Sequence, residues 1–179
     1  MKGLEANSEV LSKLKKRRLG FELVKIMQTE KSWIAMQFLA DNGQLKFISQ
    51  DLADMNDTKQ RGKNHKQSNV WKHTLAALKN AASTDAIVNL AILFHDVGKN
   101  KTATDNNTQF PGHDKTGAQI TTNTLTELGL PKGTVKRVAN MVENHLFMVK
   151  VGPKGDEADY KRLILTLKGD LNRFFTLTE

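Results

Sequence analysis

One stretch constrains this chain more than any other. Residues 86–94 read AIVNLAILF, apolar nearly all round, and His95, Asp96, Val97, Gly98 and Lys99 follow at once. A helix without a wet face is stable only when other helices surround it. A central, buried helix from Asp85 to Asp96 is therefore expected, ended by Gly98, and the fold class that follows is all-α. Three prolines in all, and a scarcity of turn-rich strand patterns, point the same way.

The chain offers helices to surround it. Residues 8–28 carry Leu11, Leu14, Leu19, Leu23, Ile26 and Met27 at an approximate 3–4 spacing, with Ser8 as an N-cap. The basic run Lys15, Lys16, Arg17, Arg18 lies within it and reads either as a phosphate-binding face or as a solvated one. Residues 30–40 form a second short helix with Trp33, Met36, Phe38 and Leu39 in the core, closed by Asp41, Asn42 and Gly43, the glycine suiting a left-handed cap. Residues 1–50 thus form an N-terminal helical segment. Residues 51–68 are polar and irregular and are expected to link it to a main unit at 69–179. In that unit helices are expected over 69–82, with Val70, Leu75 and Leu78 inward, over 113–128, ended by Gly129, over 131–148, opened by Pro131 at its first turn, and over 158–175. Residues 98–112 and 151–155 read as loops.

Composition excludes several classes. The 179 residues suffice for one or two small domains with a substantial core. No window approaches the ~20 apolar residues of a membrane span, and no signal peptide is evident, so no membrane partner and a cytoplasmic location are expected. There is no cysteine, so any metal must be held by histidine and carboxylate. A net charge of +8 suits a polyanionic partner such as nucleic acid, or is simply a basic surface.

Against that background the order His73, His95-Asp96, His113, His145, Asp170 is informative. It places ligand-type side chains on five expected helices, which is how a helical bundle builds a metal site in its core. Imidazole and carboxylate together suit Mn, Fe, Co, Ni or Zn. Adjacent His95 and Asp96 can reach one ion, or Asp96 can bridge two, which would employ His113 and His145 as well. Asp96 and Asp170 have apolar flanks, where an unpaired carboxylate is costly and a cation compensates. Lys99, three residues beyond Asp96, reads as a phosphate-binding lysine beside the metal, against the plainer reading of a charge at a helix end. His65 either reaches the site mouth or is solvated. Arg137 and Arg162 are candidate phosphate contacts or surface arginines.

The strings NVWKHTL at 69–75, LFHDVGK at 93–99, FPGH at 110–113 and VENH at 142–145 resemble the HD superfamily of metal-dependent phosphohydrolases. Within it they resemble the HD domain at the C-terminal end of bacterial tRNA nucleotidyltransferases, the CCA-adding enzymes and their poly(A) polymerase relatives. His65, and RLGFEL at 18–23 with AMQFL at 35–39, extend the likeness over about residues 10–175. The resemblance implies an all-α HD-domain bundle with a short N-terminal helical segment. It implies metal ligands at His73, His95, Asp96 and Asp170, with His113 and His145 matching positions used by dinuclear members. One or two divalent ions (Mn, Ni, Co, Fe, Mg or Zn) are expected as cofactor.

The implied activity is phosphoester hydrolysis on nucleotides or RNA ends, of the 2′,3′-cyclic phosphodiesterase, 2′-nucleotidase or phosphatase type. Asp96 and Lys99 would be catalytic, and Lys99, His65, Arg137 and Arg162 would contact a nucleotide, RNA or tRNA phosphate. A 5′-nucleotidase, a dNTP triphosphohydrolase and a non-catalytic tRNA-binding module are the other readings. The chain departs from the family in two places. The glycine-rich turn and Asp-x-Asp pair of the nucleotidyltransferase head are absent, so it is not expected to add CCA by itself, either as a stand-alone hydrolase or as a fragment. Lys66-Gln67-Ser68 stands where Pro-Glu-Gly is common.

Overall fold

The computed structural model describes residues 16–60, 69–104, 109–151 and 154–178, and their regular structure is entirely helical. In chain order the helices are α1 (Lys16–Met27), α2 (Ser32–Asp41), α3 (Leu45–Ile48), α4 (Gln50–Asp54), α5 (Val70–Ala81), α6 (Ala86–Phe94), α7 (Lys99–Thr102), α8 (His113–Glu127), α9 (Lys132–Asn144), α10 (Phe147–Lys150), α11 (Glu157–Leu167) and α12 (Leu171–Thr178). One isolated antiparallel bridge joins Lys59 to Asn69.

The apolar run is the centre of the molecule. Asp85 caps α6, its side chain accepting from the backbone N–H of Ile87 and Val88. Every residue from Val88 to Phe94 is buried. Helices α1, α5, α8, α9 and α12 pack around it. Full burial of a Leu, Ile or Phe contributes about 2 kcal/mol relative to exposure, so α6 with Leu90, Ile92, Leu93 and Phe94 anchors the whole. The one polar residue in the run is used: Asn89 Nδ2 donates to the carbonyls of Met27 and Ser83, at 2.8 and 2.7 Å, and pins the end of α1 to α6.

The N-terminal helices share this core. Leu23 and Met27 of α1, Met36 of α2, Leu52 of α4 and Met55 belong to one buried cluster with Trp71, Leu78, Val138, Met141 and Phe174. Helix α1 is described from Lys16; Ser8, Leu11, Leu14 and Lys15 lie outside the described residues.

Elsewhere the structure differs from expectation. Residues 50–54 are helical, with Leu52 and Met55 fully buried, so the stretch expected to be irregular begins inside packed structure. Its polar side chains hid two core residues spaced by three, one helical turn apart. Phe38 is 52% exposed rather than core. Residues 99–102 form a helical turn, α7, where a loop was expected. Pro131 is the N-cap of α9, one position outside its first turn, and the helix stops at Asn144, with His145 and Leu146 separating it from α10.

The last expected helix is likewise two. Lys168 (φ 41°) and Gly169 (φ 87°) both turn left-handed and end α11. Asp170 therefore sits at the start of α12, where its carbonyl accepts from Phe174 N–H.

Candidate metal centre

The ends of four helices and the first turn of a fifth meet beside the C-terminus of α6. Asn69 caps α5 by accepting from Lys72 N–H at 2.8 Å, and His73 follows one turn into that helix. His95 and Asp96 come directly after α6, Lys99 begins α7, His113 begins α8, and His145 ends α9. Gly98 allows this convergence. A Cβ there would lie 2.2 Å from the His113 carbonyl oxygen and 2.6 Å from Gly117 N, so only glycine lets the turn after Asp96 press onto the first turn of α8.

Asp96, 1% exposed, is the hub. Its Oδ2 lies 3.2 Å from His95 Nε2, 3.6 Å from His73 Nε2 and 2.7 Å from Lys99 Nζ. Its Oδ1 lies 3.4 Å from His113 Nε2 and 3.7 Å from His145 Nε2. The two carboxylate oxygens thus each face a different pair of imidazoles.

The same local device orients three of those rings. His95 Nδ1 donates to the Ile92 carbonyl at 2.7 Å, His113 Nδ1 to that of Phe110 at 2.7 Å, and His145 Nδ1 to that of Val142 at 2.6 Å. Each acceptor is three residues upstream. At His145 the captured carbonyl, Val142, lies in the last turn of α9. A donating Nδ1 leaves Nε2 of a neutral ring with its lone pair, here turned inward.

The result is a buried gathering of acceptors. His113 Nε2 and His145 Nε2 face each other at 3.3 Å with no proton to share in this tautomer. Burial, followed by the neighbouring His95, lowers the His145 pKa to about 3, which keeps that ring neutral at physiological pH. Burial raises the Asp96 pKa, but the Lys99 ammonium at 2.7 Å counters it, and the carboxyl stays well below its ordinary range. Clustered lone pairs without donors are costly in a dry interior. A divalent cation is what this donor set fits. Two trios each keep their ligand atoms within 4.8 Å of one another, His73, His95 and Asp96 in one and Asp96, His113 and His145 in the other, so Asp96 belongs to both. The mixed imidazole and carboxylate character suits first-row transition metals.

Lys99 is 5% exposed and stands between Asp96 and the ring of Phe110, whose centroid lies 5.2 Å from its Nζ. Its other hydrogen bond, at 3.1 Å, goes to Gln60. Gln60 was not legible in the sequence, being one polar residue in a polar stretch.

Three expected site residues lie outside these trios. Asp170 joins neither trio. It is 3% exposed and gripped by guanidinium groups: Arg137 Nε donates to Oδ2 at 2.7 Å while Nη2 donates to Oδ1, and Arg173 Nη1 donates to Oδ1 at 3.0 Å. Arg173 also binds the capping residue Asp85 at 2.5 Å. The hydrogen bonds from Arg137, reinforced by those from Arg173, hold the Asp170 pKa below its ordinary value. Asp170 and Arg137, expected as metal ligand and phosphate contact, are paired with each other. Arg162 pairs with Asp159 on the exposed side of α11, 3.0 Å apart. His65 lies outside the described residues.

The HD domain family matches residues 70–167, a span that takes in His73, His95, Asp96, Lys99, His113 and His145 and closes before Asp170. The chain is 37% identical over 103 residues to the A-adding tRNA nucleotidyltransferase of Deinococcus radiodurans, covering 53% of this chain and 23% of that protein. It is 30% identical over 151 residues to the CC-adding tRNA nucleotidyltransferase of Thermus thermophilus, covering 80% of this chain and 34% of that protein. The chain thus spans about a quarter to a third of the length of these curated relatives. No helix among the described residues is long and apolar enough to cross a membrane.

Proposed function

This chain belongs to the HD domain family, and from that premise we propose that it is a metal-dependent phosphohydrolase acting on phosphoesters at RNA or nucleotide ends. The observation that carries the reading is the shared Asp96: one buried carboxylate, two pairs of inward imidazoles and a buried lysine on a single hub. His73, His95 and Asp96 would hold one ion, and Asp96, His113 and His145 a second. The ion would be one of Mn, Ni, Co, Fe, Mg and Zn. A bound divalent ion supplies Lewis acidity toward a phosphoryl oxygen and makes water a competent nucleophile near neutral pH.

The chain's own residues supply the rest. The three Nδ1–H bonds to backbone carbonyls keep the rings in the ligating tautomer without further reorganisation. Lys99 places a cation beside Asp96, where it stabilises negative charge developing on phosphate oxygens. The basic net charge and the likeness to proteins that act on tRNA favour an RNA end, with 2′,3′-cyclic and 2′-phosphates the first substrates. Residues 69–179 are read as the catalytic unit, and residues 1–50 as the N-terminal helical segment, whose α1 packs on α6.

Hydrolysis of 2′,3′-cyclic AMP and of a generic phosphodiester with Mn, Ni, Co, Mg or no metal tests this reading. Metal-dependent turnover is expected in the wild type and none in Asp96→Ala. Turnover of dNTPs alone would move the substrate to nucleoside triphosphates. No hydrolysis of any phosphoester, with tRNA binding indifferent to Asp96→Ala, would overturn the enzyme reading.

A further inference from the structure

Gln60 is the polar residue nearest the site that neither the ligand set nor the family span, which begins at residue 70, accounts for. It is 3% exposed and directly follows Lys59, which bridges to Asn69. Its amide has only one consistent orientation. The Asn69 carbonyl can only accept, so Nε2 faces it at 3.4 Å; Lys99 can only donate, so Oε1 faces Nζ at 3.1 Å. Gln60 therefore ties Lys99 to the N-cap of α5, the helix that carries His73.

The consequence is directional. A lysine ammonium has three N–H donors on a flexible four-carbon stem. Asp96 Oδ2 takes one and Gln60 Oε1 a second. Among the described residues no third acceptor bonds Nζ. With Asp96 as sole partner the ammonium could rotate about that one contact; a second acceptor at a fixed place aims the remaining N–H. Resting on the phosphoester reading of this site, we propose that Gln60 is a positioning residue: it orients Lys99 so that the third N–H meets a phosphate oxygen of the substrate.

The test is calorimetric titration of inorganic phosphate into the Mn-loaded full chain, with metal content measured alongside. Gln60→Met keeps the length and removes the acceptor; Gln60→Glu keeps an acceptor. Each is made in the wild-type and the Lys99→Met background. Loss of one charge-assisted hydrogen bond predicts about tenfold weaker phosphate binding for Gln60→Met, with unchanged metal content and recovery to within about threefold in Gln60→Glu. In the Lys99→Met background the Gln60→Met change should cost nothing further. Undiminished phosphate binding in Gln60→Met, or an equal loss in both backgrounds, overturns the proposal and leaves the hydrolase reading standing. A wild type that neither binds phosphate nor hydrolyses a phosphoester removes both. Should Gln60→Met not fold, Gln60→Asn, one methylene shorter, takes its place in the same cycle.

Discussion

Asp96 and Asp170 are both buried aspartates at the ends of helices, and they are surrounded in opposite ways. Around Asp96 are four imidazole Nε2 atoms and one lysine. Around Asp170 are two arginines, which offer N–H donors and no lone pair. The first aspartate sits among groups that want a cation. The second already has two. The burial of a carboxylate with apolar flanks can be compensated by a guanidinium as well as by a metal. What distinguishes the centres is the backbone capture of Nδ1 at His95, His113 and His145, which turns lone pairs toward Asp96.

The sharpest way to break the comparison is to remove each carboxylate and weigh the metal. Asp96→Ala should lower divalent-metal affinity by more than the ~10–100-fold that losing a hydrogen-bond partner of a ligand typically costs, since both trios lose a member. Asp170→Asn should leave metal content, by elemental analysis, and its affinity unchanged. Equal loss in the two variants would return Asp170 to the ligand set.

A smaller effect is expected on stability at Asp170. Asp170→Asn leaves Arg137 and Arg173 without their shared partner. Removing one member of a fully buried pair costs about 3–5 kcal/mol; with the arginines partly exposed, about 1–2 kcal/mol is expected in urea unfolding. The pH dependence follows from the depressed Asp170 pKa. A carboxyl whose folded value lies below its unfolded value of 3.8 stabilises the fold fully above that value, and the stabilisation is lost as pH falls through the folded value. Asp170→Asn should therefore lose less stability than the wild type on acidification below about pH 4. A parallel loss in both proteins would show that the pair with Arg137 does not contribute.

The smallest effect belongs to Arg162. Its partner Asp159 lies on the solvent side of α11, and surface ion pairs contribute about 0–1 kcal/mol. Arg162→Ala is expected to change stability by no more than about 0.5 kcal/mol and to leave phosphoester hydrolysis intact. A large drop in turnover would restore it as a phosphate contact.

The sequence by itself determined the helical class, the centrality of 86–94, the starts of α5, α6 and α8, and the cluster of His73, His95, Asp96, Lys99, His113 and His145. Each rests on a local pattern: an all-round apolar run, an Asn or Asp cap, a glycine past a helix end, and ligand-type residues near helix boundaries. Tertiary structure alone decided that Asp170 and Arg137 belong to each other, that Gln60 reaches Lys99 and that Leu52 and Met55 join the core. Those outcomes depend on which side chains meet across elements far apart in sequence. Asp170 lies 33 positions from Arg137, and Gln60 lies 39 from Lys99. A buried charge demands a partner, but local sequence does not say whether packing will bring it an imidazole or a guanidinium.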